Sequence, residues 1–412
     1  MRVLHINKFG WARGGSDIYM LRACDELSQQ PGLVIGLWAS NPPSSNGLVT
    51  FDMTLPDFHG AQGVRDRVAA AKNVLWSRDA QRSLAVVLDE FRPDVAHLHL
   101  YSHQLSSSII SLLHRRGIAT VATAHDYKLI CPAYLGSRAH EDCFACSRHL
   151  SPKLLTSRCL HDDAAWSAVA LAEAMVVRST RVLPRLVVAP SHFVFRQLTN
   201  SWLSGLTDIR LIRHPATPSG LTWSGAGGFL LYAGRLSPEK GVDGLLARLD
   251  GLSYPLVIAG DGPERTRLEA MARDRSDVKF VGHLGQRELA ELRSACVALV
   301  VPSRSPEVSC LAALEAAVDG VPILVTPRGG LPELIELGAR GEVVRGDGIE
   351  AWRNAIARIG EQRHRYSDVD LSKFQHAVGW QSHVDGVLGA YKDALRRPVR
   401  TARSATARKR GT

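Results

Sequence analysis

Two acids and two cations stand out in this chain for their type and spacing. Glu307 follows an apolar run, VALVV ending at Val301, and a Pro302-Ser303 turn; Glu315 lies eight residues further on. Read as a helix that starts near Val308, the stretch PSRSPEVSCLAALEAAVDG separates the two carboxylates by about two turns, roughly 12 Å. Between them lies the start of that helix, whose first N–H groups lack helical partners and attract anions. A second apolar run, FLLYA, leads into GRLSPEKG, which sets Arg235 directly after Gly234 and Lys240 five residues later. Arginine offers a rigid fork and lysine a mobile point charge to phosphate oxygens. One acid for sugar hydroxyls, cations and N–H groups for a diphosphate, and a second acid for a ribose suit a sugar nucleotide. The plainer alternative is an acidic helix start, which the macrodipole favours anyway, beside an ordinary charged loop.

Such residues need rigid elements to hold them. The opening MRVLHIN, then LVIGLWA from Leu33, VAHLHL from Val95, IATVATA from Ile118 and LVVAP from Leu186 read as strands. Between them lie helix-like stretches: one with apolar residues at Ile18, Leu21, Ala23 and Leu27, and others at 64–91 and 104–116. This alternation predicts a mostly parallel sheet, with ligand positions beyond the C-terminal strand ends. Four such ends carry polar or glycine residues: Gly14-Gly15, Tyr101 to His103, His125-Asp126 and Ser191-His192. Gly14-Gly15 is not part of a GxGxxG run, so a dinucleotide fingerprint is absent.

The rhythm breaks at RHPATPSGLTWSGAGG and restarts with FLLYA, LVIA, VKFVG, VALVV and PILVT. The expected organisation is a first α/β domain over 1–212, a linker over 213–228 and a second α/β domain over 229–373. An amphipathic terminal helix follows over 374–395, with Trp380 and Tyr391 placed to pack across the domain junction. Residues 396–412 form a basic tail.

The chain has 412 residues, 45% of them hydrophobic, enough for two cores. No apolar run approaches the ~20 residues that span a membrane, and the N-terminus reads as a strand, not a signal peptide. A cytoplasmic protein is expected. The net charge is +10, and the tail RRPVRTARSATARKRGT contributes seven of those charges without an acid. The tail is expected to be disordered and solubilising, with peripheral contact to the inner, anionic membrane face as a further role. Confinement of the charge to the tail argues against a folded surface for specific nucleic acid.

Seven cysteines, an odd number in an expected reducing compartment, argue against a disulfide framework. Cys24 and Cys296 lie in apolar helical contexts and read as core. Cys131, Cys143, Cys146 and Cys159 fall in one insertion at 131–159. They supply the four thiolates of a structural zinc site, with His140, His149 and His161 as alternative ligands. Four free or redox-paired thiols, or an iron–sulfur cluster, are the competing readings.

GRLSPEKG, IAGDGPE, VKFVGHL, PSRSPEVSCLAALEA and TPRGGLPELI, in this order and spacing, resemble the retaining sugar-nucleotide glycosyltransferases of family 4. The GG before a helix, the HD after a strand and the VVAPS strand end fit as well. The resemblance covers nearly all of the chain before the tail. It implies the GT-B fold: α/β, two facing Rossmann-like doubly wound domains with a C-terminal crossover helix. It also implies a donor held mainly by the second domain. Carried over by position, Arg235 at the Gly234 strand end and Lys240 bind the donor diphosphate, and Glu307 contacts sugar hydroxyls near the reacting carbon. The N–H groups of Ser309, Cys310 and Leu311 meet phosphate or sugar, and Glu315 holds the ribose. Gly14 and Gly15 approach the diphosphate from the first domain, and His125 contacts the sugar and the reaction centre.

The implied activity is sugar transfer with retention to a glycan, lipid-linked or small-molecule acceptor, in envelope or polysaccharide synthesis, with no cofactor needed for catalysis. A GT-B sugar-nucleotide epimerase and a non-catalytic GT-B subunit are the alternatives. One departure is Val308-Ser309-Cys310, where many family members have glycine; a Cys310 side chain there narrows the sugar pocket.

Overall fold

The computed structural model describes residues 1–43, 47–55, 64–138, 141–160, 162–248, 254–346, 348–362, 366 and 369–396. The basic tail beyond Arg396, and the candidate ligands His140 and His161, lie outside the described residues. In the first half the strands are β1 (Arg2–Phe9), β2 (Val34–Ser40), β3 (Leu48–Asp52), β4 (Val95–Leu98) and β5 (Ala119–Thr123). A short hairpin of β6 (Ser137–Arg138) and β7 (Glu141–Asp142) precedes β8 (Leu186–Ala189) and β9 (Asp208–Leu211). Seven of these pair in the order β3-β2-β1-β4-β5-β8-β9, all parallel. The central strands are buried on both faces, so they read as unbroken apolar runs. The edge strand β3 is partly solvated and lacks that signature, and sequence reading misses it. The helices are α1 (Gly15–Ser28), α2 (Val64–Leu75), α3 (Arg78–Phe91), α4 (Ser108–Arg115), α5 (Lys153–Thr156), α6 (Ala164–Thr180) and α7 (His192–Thr199). The stretch expected to be helical over 64–91 is two helices, because Ser77 stops the chain and accepts the Ala80 N–H to begin α3.

The second half repeats the plan with β10 (Leu230–Ala233), β11 (Leu256–Ala259), β12 (Val278–Gly282), β13 (Ala298–Val301), β14 (Ile323–Val325) and β15 (Gly341–Val343). They pair in the order β12-β11-β10-β13-β14-β15, again all parallel. Helices α8 (Val242–Arg248), α9 (Arg265–Met271), α10 (Gln286–Ala295), α11 (Leu311–Val318), α12 (Leu331–Glu336) and α13 (Ile349–Glu361) connect them. In each sheet the strand order reverses beside the first strand, at β1/β4 and at β10/β13. Crevices for ligands open beyond the strand ends at such points.

Residues 213–228 carry no regular element, yet His214, Ala216 and Trp223 are buried and the Trp223 indole donates to the Cys296 carbonyl at 2.8 Å. The segment is a packed strap between the domains. The terminal helix is two: α14 (Ser372–Ala377) and α15 (Trp380–Arg396). The break is at Val378-Gly379, where the Val378 carbonyl accepts the N–H of Ala216 instead of a helical one. Phe374 and Val378 belong to the core of the second domain. Val384, Val387, Ala390, Tyr391 and Ala394 of α15 belong to the core around β1, β2 and α1. The chain therefore ends by crossing back onto its first domain. No helix among the described residues is long and apolar enough to cross a membrane.

Backbone contact between neighbouring strand ends fixes the second crevice. Gly260, at φ +142°, lies so close to β10 that an added Cβ would stand 1.9 Å from the Gly234 carbonyl oxygen. Gly260→Ala should lower stability by about 1–3 kcal/mol. Urea unfolding measures this, and an unchanged midpoint would refute the close approach.

Candidate active site

At the β10/β13 reversal two loops meet backbone to backbone. After β10 the chain turns through Gly234 and Arg235, whose carbonyl accepts the Tyr232 hydroxyl at 2.8 Å. A single 3₁₀ turn, Pro238–Lys240, ends at Gly241 with φ +72°. A side chain at Gly241 would stand 2.2 Å from the Pro302 carbonyl oxygen, so only glycine lets the loop after β13 lie against it. The Arg304 N–H donates to the Glu239 carbonyl at 2.9 Å and ties the two loops together. This closeness delivers Lys240 to Glu307, Nζ to Oε1 at 2.7 Å, with the Ser303 hydroxyl donating to the same oxygen at 2.5 Å. Burial alone would disfavour the Lys240 charge, but the Glu307 carboxylate more than compensates and the ammonium pKa is raised. Arg235 is exposed at the strand end and has no ion-pair partner among the described residues.

Glu307 forms a parallel bridge with Gly329, and its carbonyl accepts the Gly330 N–H at 2.8 Å. Gly329 is at φ +61°, where a Cβ would stand 2.2 Å from the Glu307 carbonyl oxygen. This pairing holds the chain extended past Glu307. The helix therefore starts at Leu311, with Cys310 as its extended N-cap, and not near Val308. The acids are not two helical turns apart: Glu307 lies on the approach and Glu315 inside α11. Burial pushes the Cys310 thiol up to about 11, and Glu307 acts in the same sense. Lys240 and the N–H groups of Ala313 and Ala312 pull the other way without prevailing, so Cys310 is a neutral thiol. Glu315 pairs with Arg293 at 3.1 Å and with Arg22 of α1 at 3.6 Å. The buried Arg293 is also held by Asp319 at 3.0 Å.

The first domain supplies the opposite wall. A Cβ on Gly15 would stand 3.3 Å from a Leu311 methyl, so α1 begins against the start of α11, whereas Gly14 has open space around it. His125, just past β5, is half-buried; burial holds its pKa down to about 3, and its Nε2 lies 3.0 Å from His99 Nδ1. Ser191-His192 does not offer a free site. Glu333 of α12 accepts the N–H groups of His192 at 2.8 Å and Phe193 at 2.6 Å, filling the α7 N-terminus from the other domain. Tyr101 lines a small pocket with Lys128, Glu173 and Trp202. Lys128 and His103 reach the Glu173 carboxylate at 2.7 and 3.8 Å.

The cysteine-bearing insertion reaches across the crevice. Ser137 and Ser305 hydroxyls are 2.6 Å apart, and Asp142 pairs with Arg328 at 3.1 Å. Cys131 and Cys159 both have thiol pKa values raised chiefly by burial, with Cys143 and Cys146 near enough to each to act in the same sense. Among the described residues no three of their sulfurs lie within 4.8 Å of one another. Cys24 and Cys296 are fully buried, as expected of core residues, with Cys296 capping α10 instead of lying within a helix.

Sequence reading missed Ser303, the Gly329-Gly330 pair and Glu333 as parts of this site. The GGLPE run carries the last two, but nothing in it shows that Glu333 reaches the other domain.

The profile of the family described as Glycosyl transferases group 1 matches residues 220–372. A D-inositol 3-phosphate glycosyltransferase of Stackebrandtia nassauensis is 32% identical over 198 residues, 43% of this chain and 44% of that protein, so the match spans under half of that relative. A GDP-mannose-dependent alpha-mannosyltransferase of Corynebacterium glutamicum is 31% identical over 328 residues, 76% of this chain and 70% of that one. The chain belongs to the group 1 glycosyltransferases. Among solved structures, sucrose-phosphate synthase from Thermosynechococcus elongatus shares the fold of this group 1 member at TM-score 0.71 and 18% identity, covering 95% of this chain and 98% of that one. Anabaena HepE in complex with UDP and glucose does so at TM-score 0.64 and 15% identity, covering 95% and 100%. The GT-B architecture expected from the sequence is thereby shown.

A thiol raised to about 11 reacts slowly below that pH, because the thiolate is the nucleophile. Iodoacetamide at pH 8, read by peptide mass spectrometry, should leave Cys310 of the folded protein largely unlabelled and label it fully in urea. Rapid labelling of the folded protein would refute the buried, neutral thiol.

Proposed function

We propose that this group 1 glycosyltransferase moves a hexose from a nucleotide-diphosphate donor to an acceptor hydroxyl with retention of configuration. The observation that carries the reading is the Lys240–Glu307 pair beside exposed Arg235, placed at the β10/β13 reversal opposite Gly14, Gly15 and His125. Arg235, Lys240 and the N–H groups at Ser309, Cys310 and Leu311 take the diphosphate and stabilise the charge that grows as the sugar–oxygen bond breaks. Glu307, already oriented by Ser303, takes sugar hydroxyls beside the oxocarbenium-like centre. The acceptor oxygen bonds to that carbon from the face the diphosphate leaves, and its proton passes to the departing phosphate oxygen. No external base is required. His125, held neutral by burial, orients the sugar.

Glu315 takes the ribose in this reading, with Arg293 keeping it in place and Arg22 giving way. The names of the relatives and structural neighbours include both GDP-mannose and UDP, which supports the donor class and leaves the base open. The acceptor belongs to glycan, lipid-linked or small-molecule chemistry of envelope or polysaccharide synthesis, with the basic tail meeting an anionic membrane face. The intact ion pair argues against a non-catalytic subunit. The four insertion cysteines would draw together on zinc, bracing the hairpin that touches Ser305 and Arg328.

A hydrolysis and transfer screen across UDP-, GDP-, ADP- and dTDP-sugars tests the function. One donor should turn over, Glu307→Gln should slow it on the order of 100-fold, and Arg235→Ala with Lys240→Ala should weaken nucleoside diphosphate binding in calorimetry. Undiminished turnover in Glu307→Gln would remove it from the site, and no binding of any donor would reject the function. Metal analysis of protein purified with reductant and without chelator should find about one zinc per chain; a metal-free, fully folded protein would leave plain thiols.

A further inference from the structure

A hairpin of the first domain grips the loops that hold Glu307, and the proposed reaction gives it no part. Strands β6 and β7 pair antiparallel, Ser137 with Asp142 and Arg138 with Glu141. The hairpin stands on the segment that follows His125. Tyr127, buried just past His125, donates its N–H to the Tyr134 carbonyl at 3.1 Å. Gly136 lies at φ +65°, and a Cβ there would stand 2.7 Å from the Tyr127 ring, so glycine lets the hairpin lie on that ring. The Cys143 N–H returns to the Gly136 carbonyl at 2.7 Å, and Phe144 meets the Tyr127 ring edge-on at 5.1 Å. The base of the hairpin is thereby fixed to the His125 side of the crevice.

Its other side is fixed to the second domain by two catches. The Ser137 and Ser305 hydroxyls lie 2.6 Å apart, and Arg328 donates to an Asp142 carboxylate oxygen at 3.1 Å. Their places in the chain matter. Ser305 lies just before Glu307, and Arg328 directly precedes Gly329, the bridge partner of Glu307. One catch holds the Glu307 segment and the other holds the segment bridged to it. On the far side of Glu307, Val308 packs against the first-domain cluster that includes Tyr127, Ile130 and Val194. Glu307 thus meets first-domain contacts before it, after it and across its bridge. Asp142 and Arg328 are both partly exposed, and pairs of that kind add little to folding, so stability does not account for the catch.

We propose that the β6–β7 hairpin is a clasp that sets the separation of His125 and Glu307 across the crevice, with Ser137, Asp142, Ser305 and Arg328 as positioning residues acting through Glu307. The proposal rests on the reading that the donor sugar lies between His125 and Glu307. Sugar transfer needs the clasp shut, because reacting groups misplaced by about 1 Å lose on the order of 100-fold in rate. Nucleoside diphosphate binding does not need it, because Arg235, Lys240 and the start of α11 all belong to the second domain.

Charge reversal tests the Asp142–Arg328 catch. Asp142→Arg and Arg328→Glu should each lower kcat about tenfold for the donor found in the screen, with nucleoside diphosphate affinity in calorimetry held within about twofold. The double variant restores an ion pair of reversed polarity and should recover kcat to within about threefold of the wild type. Asp142→Asn, a smaller change at an exposed residue, serves if a reversal does not fold. Unchanged kcat in both single variants, or a double variant as slow as the singles, would overturn the clasp. Nucleoside diphosphate affinity lost in Arg328→Glu alone would make Arg328 a donor ligand and overturn it as well. Failure of the donor screen would reject sugar transfer, yet small-angle scattering of the unliganded chain still reads the clasp. Each reversal should enlarge the radius of gyration and the double variant should restore it; no enlargement would overturn the proposal, so the two failures are distinguishable.

Discussion

The contact of Gly241 with the Pro302 carbonyl and of Gly329 with Glu307 is the constraint on which the rest of the site depends. Glycine at positive φ permits a backbone to pass where a Cβ would stand 2.2 Å from a carbonyl oxygen. Two distant loops can then run side by side, and Lys240 and Glu307, 67 residues apart, inherit their 2.7 Å separation from that backbone, not from flexible side chains. Partly buried ion pairs are poor evidence for stability, because desolvation opposes the Coulomb attraction. Here the pair is better understood as preorganisation: a cation and an acid set side by side on rigid strand ends before any ligand arrives.

Much of this architecture was legible because parallel strands buried on both faces leave plain apolar runs. FLLYA and VALVV could be assigned, and the residues after them inspected for chemistry. Their adjacency could not be read. β10 and β13 are neighbours only because the strand order reverses between them, and that reversal brings Lys240 to Glu307. The helix start was misread for a local reason. Val308 to Cys310 are compatible with a helix, but the bridge to Gly329 keeps them extended, and a bridge to a residue over 20 positions away leaves no trace in the local pattern. β3 and the break at Val378-Gly379 were hidden similarly, the first by solvent exposure and the second by a hydrogen bond from the strap.

The buried histidines of the first domain show a different limit. His97 and His99 alternate on β4 and its extension, and His5 is the in-register partner of His97, so a shared face was deducible once the strand order was known. The participation of Tyr391 and His383 was not, since it requires the terminal helix to return to the first domain. Partners ease the burial of His5, His97, His99 and His383, as an unpaired buried polar group costs roughly 1–3 kcal/mol; His214, buried beside them, has neither ring nitrogen bonded among the described residues. The crossover helix is thus more than a clamp: its hydroxyl completes a polar core that an apolar residue at 391 would leave unsatisfied.

Across the crevice the domains touch through polar pairs, Arg22 with Glu315, Asp142 with Arg328, Ser137 with Ser305 and Glu333 with the α7 N-terminus, and through Leu311 and Val308, which pack against cores of the first domain. Partly exposed ion pairs contribute about 0–1 kcal/mol each, so the walls can part at small cost. The contacts are not equivalent when they do. Glu315 loses Arg22 but keeps Arg293, which is buried and pinned by Asp319, so its carboxylate stays oriented on its own domain. Glu307 likewise keeps Lys240 and Ser303. Opening therefore exposes a second domain whose acids and cations are already in place, whereas the first domain carries away His125, bonded to His99 within its own sheet. The second domain's acids and cations are thus organised from within its own fold, whereas the first domain's wall is completed by Glu333 at the α7 N-terminus.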